Sequence, residues 1–400
     1  MGSHQAMCVT VFLLFLVISL YHVEGRLGIP SLEENLEFDR ELTSLNKHGV
    51  KTIKTVYGDI YNCVDLYKQP ALDHPSLKNH KIQMKPSFTQ QKDQTYSVKT
   101  GLVEECPWGT VPIRRISKQE LLRAKTNFIH HFQTSVSVNA QPPPLVFSGI
   151  TTVPRQGTVY HAAAANINIC NPEPTGFEQL SASTISIEGS SPDSFSVIRV
   201  GWMVNPSLYH DNHIRLYTIW GQLSSRAQIG CYNTYCPGFV QTNPSIPLDM
   251  VLEPVSVIRG PQYYVKLMVS QDKETGNWWL TYSESDMPVG YWPSSLFANL
   301  KDGAQVLGWG GMVSTNTPQL PPMGNGDNGE IHSCHFRQVA LKYESGTSLN
   351  VTMDVPLTVI GNKCYKTGGN SYKYDYWGYS FYFGGNGGET KKCSHRSTFH

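Results

Sequence analysis

The most regular alternation in the chain runs through 197–204, where Ile198, Val200, Trp202 and Val204 interleave with Val197, Arg199, Gly201 and Met203. A period of two with few polar positions predicts a β-strand covered on both faces. Asn205-Pro206 ends it, and 215–220 (R-L-Y-T-I-W) reads as a second strand antiparallel to the first. Stretches 159–169, 184–187, 263–269, 278–282 and 305–313 carry similar patterns. Turn residues separate them at short intervals, which predicts an all-β sandwich or barrel. The alanines at 162–165 have no helix caps and β-like neighbours, so they are assigned to a strand.

Before about residue 140 the pattern changes. Ser31-Leu-Glu-Glu34 is a capping-box signature, and Leu32, Leu36, Leu42 and Leu45 fit one amphipathic helix. Stretch 52–68 has β character, and Ser117-Lys-Gln-Glu120 opens a short basic helix through Leu121, Leu122 and Lys125. This segment is too polar to build a large core alone. Stretch 135–149, with Gln141-Pro-Pro-Pro144, reads as a stiff linker and a domain boundary. The apolar run 8–21 is short for a bilayer span, and Val23 and Gly25 suit cleavage, so 1–25 is expected to be a signal peptide.

Composition narrows the function classes. A net charge of +1 from scattered charges disfavours a polyanion-binding surface, so no nucleic-acid partner is expected. Of nine cysteines, Cys8 lies in the signal run, leaving eight for disulfides in an oxidising compartment. There is no C-x₂-C pair, and Cys231 and Cys236 have no matching second pair. That excludes a zinc site and leaves a small stapled loop. No H-E-x-x-H, G-x-S-x-G or Walker A motif occurs, and glycine-rich 384–391 lacks the G-K-[ST] ending. No metal or cofactor is expected.

Three motifs are more specific. G-W-x-V-N-P-S-L-Y at 201–209, G-C-Y-N-x-x-C-P-G-F-V-Q-T-N at 230–243 and G-Y-W-P-S-S-L-F at 290–297 resemble the neprosin family. These are secreted, mostly plant glutamic peptidases that cleave at proline. The likeness runs from about Ile53 to the C-terminus. D-L-Y-K-Q-P-A-L-D-H-P (65–75) and E-C-P-W-G-T-V-P-I-R-R (105–115) resemble the family's activation peptide, a segment removed on maturation. The resemblance therefore implies a small mixed α/β pro-segment at 26–140, stapled by Cys63–Cys106. It implies a large antiparallel β-sandwich at 141–400 whose concave face holds substrate. Cys364 and Cys393 match the family's C-terminal disulfide; Cys170 and Cys334 are additional here and form a candidate pair. Asn350-Val-Thr352 is a glycosylation sequon, expected at the surface.

The same resemblance exposes a departure. The family places its catalytic glutamates in I-E-x-G-W and W-G-G-E; here those positions are Arg199 and Met312. A further glutamate often found in V-E-W-G-G is replaced by Gly308. A carboxylate peptidase needs one carboxylate to deprotonate water and one acid to protonate the leaving amine. A guanidinium keeps its protons and a thioether has none to exchange. Glu188, Asp211, Glu284 and Asp286 are the possible substitutes, all expected in loops facing water. Trp202, Trp292 and Trp309 are candidates to line the cleft and stack on proline, although most large aromatics serve the core. Arg199 itself would favour a peptide carboxylate or an acidic side chain. Two readings follow: a secreted, catalytically inactive homologue binding proline-rich or other extracellular polypeptide, or an active proline-specific endopeptidase using substitute residues. The missing pair favours the first. No membrane partner is expected after signal cleavage.

Overall fold

The computed structural model describes residues 32–88, 102, 104–136, 145–172, 176–224, 227–282, 287–343, 348–350, 355–374, 376–393 and 397–399. The expected signal peptide, the Gln141-Pro-Pro-Pro144 run, Glu284 and Asp286 lie outside them. Two compact units divide the chain, Met1–Glu41 and Leu42–His400. The described part of the first is helical, the beginning of α1 (Leu32–Leu45).

Within the second unit, the pro-segment folds as a three-stranded antiparallel sheet, β1 (Lys51–Lys54), β2 (Ile60–Asp65) and β3 (Thr110–Arg114). Cys63–Cys106 ties it together. Helix α2 (Lys118–Val136) follows. Its start is a reciprocal capping box: Ser117 Oγ accepts from Glu120 N at 3.2 Å, and Glu120 Oε2 accepts from Ser117 N at 2.7 Å. The helix is longer than the short element the sequence suggested and takes in the first residues assigned to the linker.

The remainder is two large antiparallel sheets. One contains β4 (Val146–Thr152), β6 (Gln179–Ser191), β7 (Ser194–Val204), β8 (Arg215–Ser224), β9 (Gln228–Tyr232), β14 (Val306–Thr315), β18 (Leu357–Gly361) and β22 (Ser397–Phe399). Their order is β22-β18-β4-β14-β6-β7-β8-β9. The other contains β5 (Tyr160–Asn168), β10 (Val240–Gln241), β11 (Tyr264–Gln271), β12 (Trp278–Tyr282), β13 (Met287–Trp292), β16 (His335–Tyr343), β19 (Lys366–Lys373) and β20 (Gly378–Gly384). Its order is β10-β13-β12-β11-β5-β16-β20-β19, with β17 (Ser348–Asn350) paired to β16. β15 (Gln319–Leu320) and β21 (Gly388–Glu389) form a small ribbon. Asn350 thus ends a strand, with its side chain and Thr352 outside the description.

Indoles bridge the sheets. Trp202 Nε1 on β7 donates to the Asn168 carbonyl on β5 at 2.9 Å, and Trp309 Nε1 on β14 donates to Ala164 O at 3.2 Å. Both side chains are fully buried, as is Trp292, which pairs across strands with Trp278 and packs its ring 4.7 Å from Phe239. These three tryptophans belong to the core between the sheets and do not line a cleft. At Trp202 and Trp309 a facing backbone carbonyl satisfies the one ring donor, whereas Trp292 Nε1 is buried without a partner. Disulfides Cys170–Cys334, Cys231–Cys236 and Cys364–Cys393 complete the set of four.

Candidate functional site

Register fixes what surrounds the two departed positions. Arg199 of β7 pairs with Ser186 of β6, and Ser186 pairs with Gly308 of β14. Met312 lies four residues further along β14, opposite Ala182, which in turn faces Met203. Side chains alternate along a strand, so Arg199, Ser186, Gly308 and Met312 share one face. It is the face opposite Trp202 and Trp309, hence the outer face of the eight-stranded sheet. By strand geometry Met312 stands roughly 13 Å along and about 10 Å across from Arg199.

Glu188 changes place relative to expectation. It lies within β6, two residues beyond Ser186 on the same face, and not in a water-facing loop. Ser186 Oγ donates to its Oε1 at 2.6 Å, and Arg199 Nη2 approaches that oxygen at 3.4 Å. The Arg199 side chain is 8% exposed and that of Glu188 28%. Among the described residues, Glu188 is the only Asp or Glu in the eight strands of this sheet. The strands of that face supply one carboxylate, already matched to a guanidinium. Beside it, burial pushes the Tyr217 phenol up to about 12, with Thr184 and the Arg199 charge pulling the other way. Neither position 199, 308 nor 312 can take or give a proton near neutral pH.

A denser charge cluster lies where the pro-segment meets the sandwich. Asp59 accepts from two arginines: Arg114 Nε of β3 at 2.9 Å and Arg215 Nη1 of β8 at 2.7 Å. Arg114 also pairs with Glu120 at 2.8 Å and donates to Tyr235 Oη at 3.1 Å. Arg215, 1% exposed, pairs with Asp211 at 2.7 Å and donates to the Asp249 carbonyl at 2.9 Å. Both guanidinium groups stand over the Tyr209 ring. The Asp249 carboxylate accepts from Tyr209 and Asn233. Burial raises its pKa to about 6, partly countered by Arg114, the Tyr209 hydrogen bond and Arg215.

The sequence motifs converge on this junction. Asn205 caps the short helix α3 (Pro206–Tyr209) through Leu208 N, which presents Tyr209 to the arginines. The loop stapled by Cys231–Cys236 delivers Asn233 and Tyr235. Gly238 at φ +147° is required beside it, since a Cβ there would fall 2.6 Å from the Trp220 ring. Gln69 of the pro-segment motif pairs with the Gln241 backbone, accepting from N at 2.8 Å and donating to O at 3.1 Å. Further along, Asn127 of α2 donates to Ser207 Oγ and Arg123 to Ser207 O. The motifs revealed the relationship, but the cluster itself was not read from sequence, because Asp59 and Arg215 are 156 residues apart.

A family model described as "Neprosin" matches residues 177–386, and one described as "Neprosin activation peptide" matches 52–146. The chain belongs to the neprosin family. As a neprosin it is a peptidase-family protein, with a pro-segment of the family type ahead of the sandwich. Solved structures similar to it include scytalido-glutamic peptidase with a peptide-based transition state analog, at 9% identity and TM-score 0.29, covering 61% of this chain and 99% of that one. Another is SCP-B, a member of the Eqolisin family of peptidases, in a complex with the tripeptide Ala-Ile-His, at 10% identity and TM-score 0.28, covering 61% and 99%. Likeness at that level carries no argument about this neprosin. No helix among its described residues is long and apolar enough to cross a membrane.

Proposed function

We propose that this chain is a secreted neprosin that binds a proline-rich extracellular polypeptide on the outer face around Arg199 and does not hydrolyse it. One observation carries the reading: the sheet offers a single strand carboxylate, Glu188, and that carboxylate is ion-paired to Arg199. Hydrolysis by paired carboxyls needs a base and an acid within reach of one scissile bond. The ligand class follows from the family's cleavage at proline. Tyr217 and Tyr232 share that face by register but are fully buried beside Arg199, so they present no exposed ring to the ligand. Arg199 would select a ligand carboxylate near the proline.

The test is incubation of the processed protein with a proline-containing peptide between pH 3 and 7, read by mass spectrometry and by binding of the same peptide. Intact peptide with saturable binding is expected. Cleavage that survives removal of contaminating proteases would show an active endopeptidase using substitute residues.

A further inference from the structure

The nine-stranded sheet carries a cluster that no step above uses. It lies on that sheet's outer face, near the β19 end, opposite the face that packs Phe336, Phe381 and Phe383 into the core. The Arg337 guanidinium of β16 is held between two rings, 3.9 Å from the Tyr264 centroid and 3.4 Å from that of Tyr376. Lys373, the last residue of β19, holds its Nζ 4.7 Å from the Tyr382 ring and 5.4 Å from Trp377. His335 sits between them, its Nε2 2.8 Å from Tyr264 Oη and its ring 5.2 Å from Trp377.

The Lys373 ammonium is the informative group. Its Nζ is shielded from water and has no hydrogen-bond partner, although an ammonium carries three donors. Ring faces attract the charge but accept no conventional hydrogen bond, so the cage leaves donor capacity unused. Burial lowers the Lys373 pKa. Burial also holds His335 down to about 4; the Ser333 carbonyl opposes this, while Arg337 and Lys373 add to it. His335 is therefore neutral at physiological pH. Asp375 lies outside the described residues.

β19 is also the terminal strand of its sheet. A terminal strand presents backbone N–H and C=O groups that an extended peptide can pair with. Tyr372 and Tyr374 project into solvent along this margin. We propose that an acidic polypeptide segment adds to the β19 edge in extended conformation and places a carboxylate against Lys373, with Arg337 adding to the local positive field. A carboxylate supplies the acceptor that the ammonium lacks, and charge-assisted bonds of this kind are among the stronger ones. Gly329 packs against Lys366 and Gly368, so the open part of the edge is the stretch toward Lys373, and its unpaired backbone favours a polypeptide over an acidic polysaccharide, which has no amide ladder to pair.

Fluorescence anisotropy on the full chain tests this with a labelled (Glu-Val)₃ peptide, its Gln-for-Glu counterpart, a version N-methylated at alternate amides, and polygalacturonate as competitor. Salt-sensitive binding of the Glu peptide is expected. Lys373→Met, with an unchanged melting temperature, should weaken it about tenfold, as should Gln for Glu. N-methylation should abolish it. No binding, equal binding by Lys373→Met or by the Gln peptide, or full binding of the N-methylated peptide would overturn the proposal. So would strong polygalacturonate binding at this site without peptide binding.

Discussion

Two groups of charge share one sheet and differ in almost every respect. Around Arg199, the pair with the partly exposed Glu188 carboxylate stands at 3.4 Å. Around Arg215, on the same face of neighbouring β8, two arginines and the carboxylates of Asp59, Glu120 and Asp211 interlock at 2.7–2.9 Å. The first lies at the positions that match the family's catalytic motifs and carries Arg199 and Met312 there. In the second, each of these carboxylates is paired to an arginine. Buried charge here joins the pro-segment to the sandwich, while the strands around Arg199 and Met312 keep Gly201-Trp202 and Trp309-Gly310-Gly311 without a glutamate at either position.

The contrast sharpens most if carboxylates are returned to the poorer face. Arg199→Glu with Met312→Glu should yield acid-dependent cleavage of a proline-containing peptide, measured by chromatography, while each single substitution stays near background. A positioned acid or base is worth roughly 10²–10⁴ in rate, and neither works without its partner. A folded double variant with no activity would mean the remaining site has decayed as well.

The richer cluster can be broken by Arg215→Met. That takes one of two arginines from Asp59 and removes the arginine paired with Asp211, and removing one side of a buried pair costs about 3–5 kcal/mol. Urea denaturation should show a loss of that size; a loss below about 1 kcal/mol would refute the structural role given to the cluster.

Asp249 gives an effect that depends on pH. Its pKa is about 6 in the fold against 3.8 ordinarily, so between those values the folded protein keeps a proton that the unfolded chain has released. Stability from this group is therefore greatest below about pH 4, declines as pH rises to about 6, and is lower by about 3 kcal/mol above that. Asp249→Asn should flatten the melting profile between pH 4 and 7. An unchanged slope would show that another group sets it.

Arg199→Met should have the smallest effect, about 1 kcal/mol or less, because a carboxylate as exposed as Glu188 can rehydrate. A loss matching that of Arg215→Met would erase the distinction between the two clusters.

Much of the frame was legible in the sequence. Alternation located β7, β8 and β12 within a few residues, and the Ser117/Glu120 box marked the start of α2. Alternation also held a signal left unused: Trp202 is an odd number of positions from Arg199, and Trp309 from Met312, so neither tryptophan can share their face. Glu188 was misplaced because Gly189-Ser190-Ser191 has the composition of a loop. In the fold those residues continue β6 into its hairpin with β7, paired as far as Ser191 with Ser194. The Asp59 cluster had no local signature at all, since tertiary packing alone brings its members together.

The position of β4 has a practical consequence. It follows the pro-segment directly and lies outside the 177–386 family match, yet it is an interior strand, paired to β14 on one side and β18 on the other. β5 is likewise interior, between β11 and β16. A gene trimmed to the matched range would therefore encode two sheets that each lack a central strand, with raw edges on β14, β18, β11 and β16 where those neighbours should be. Such a product should aggregate. Trimming by nature or by hand has to stop before Val146 if the sandwich is to stay whole.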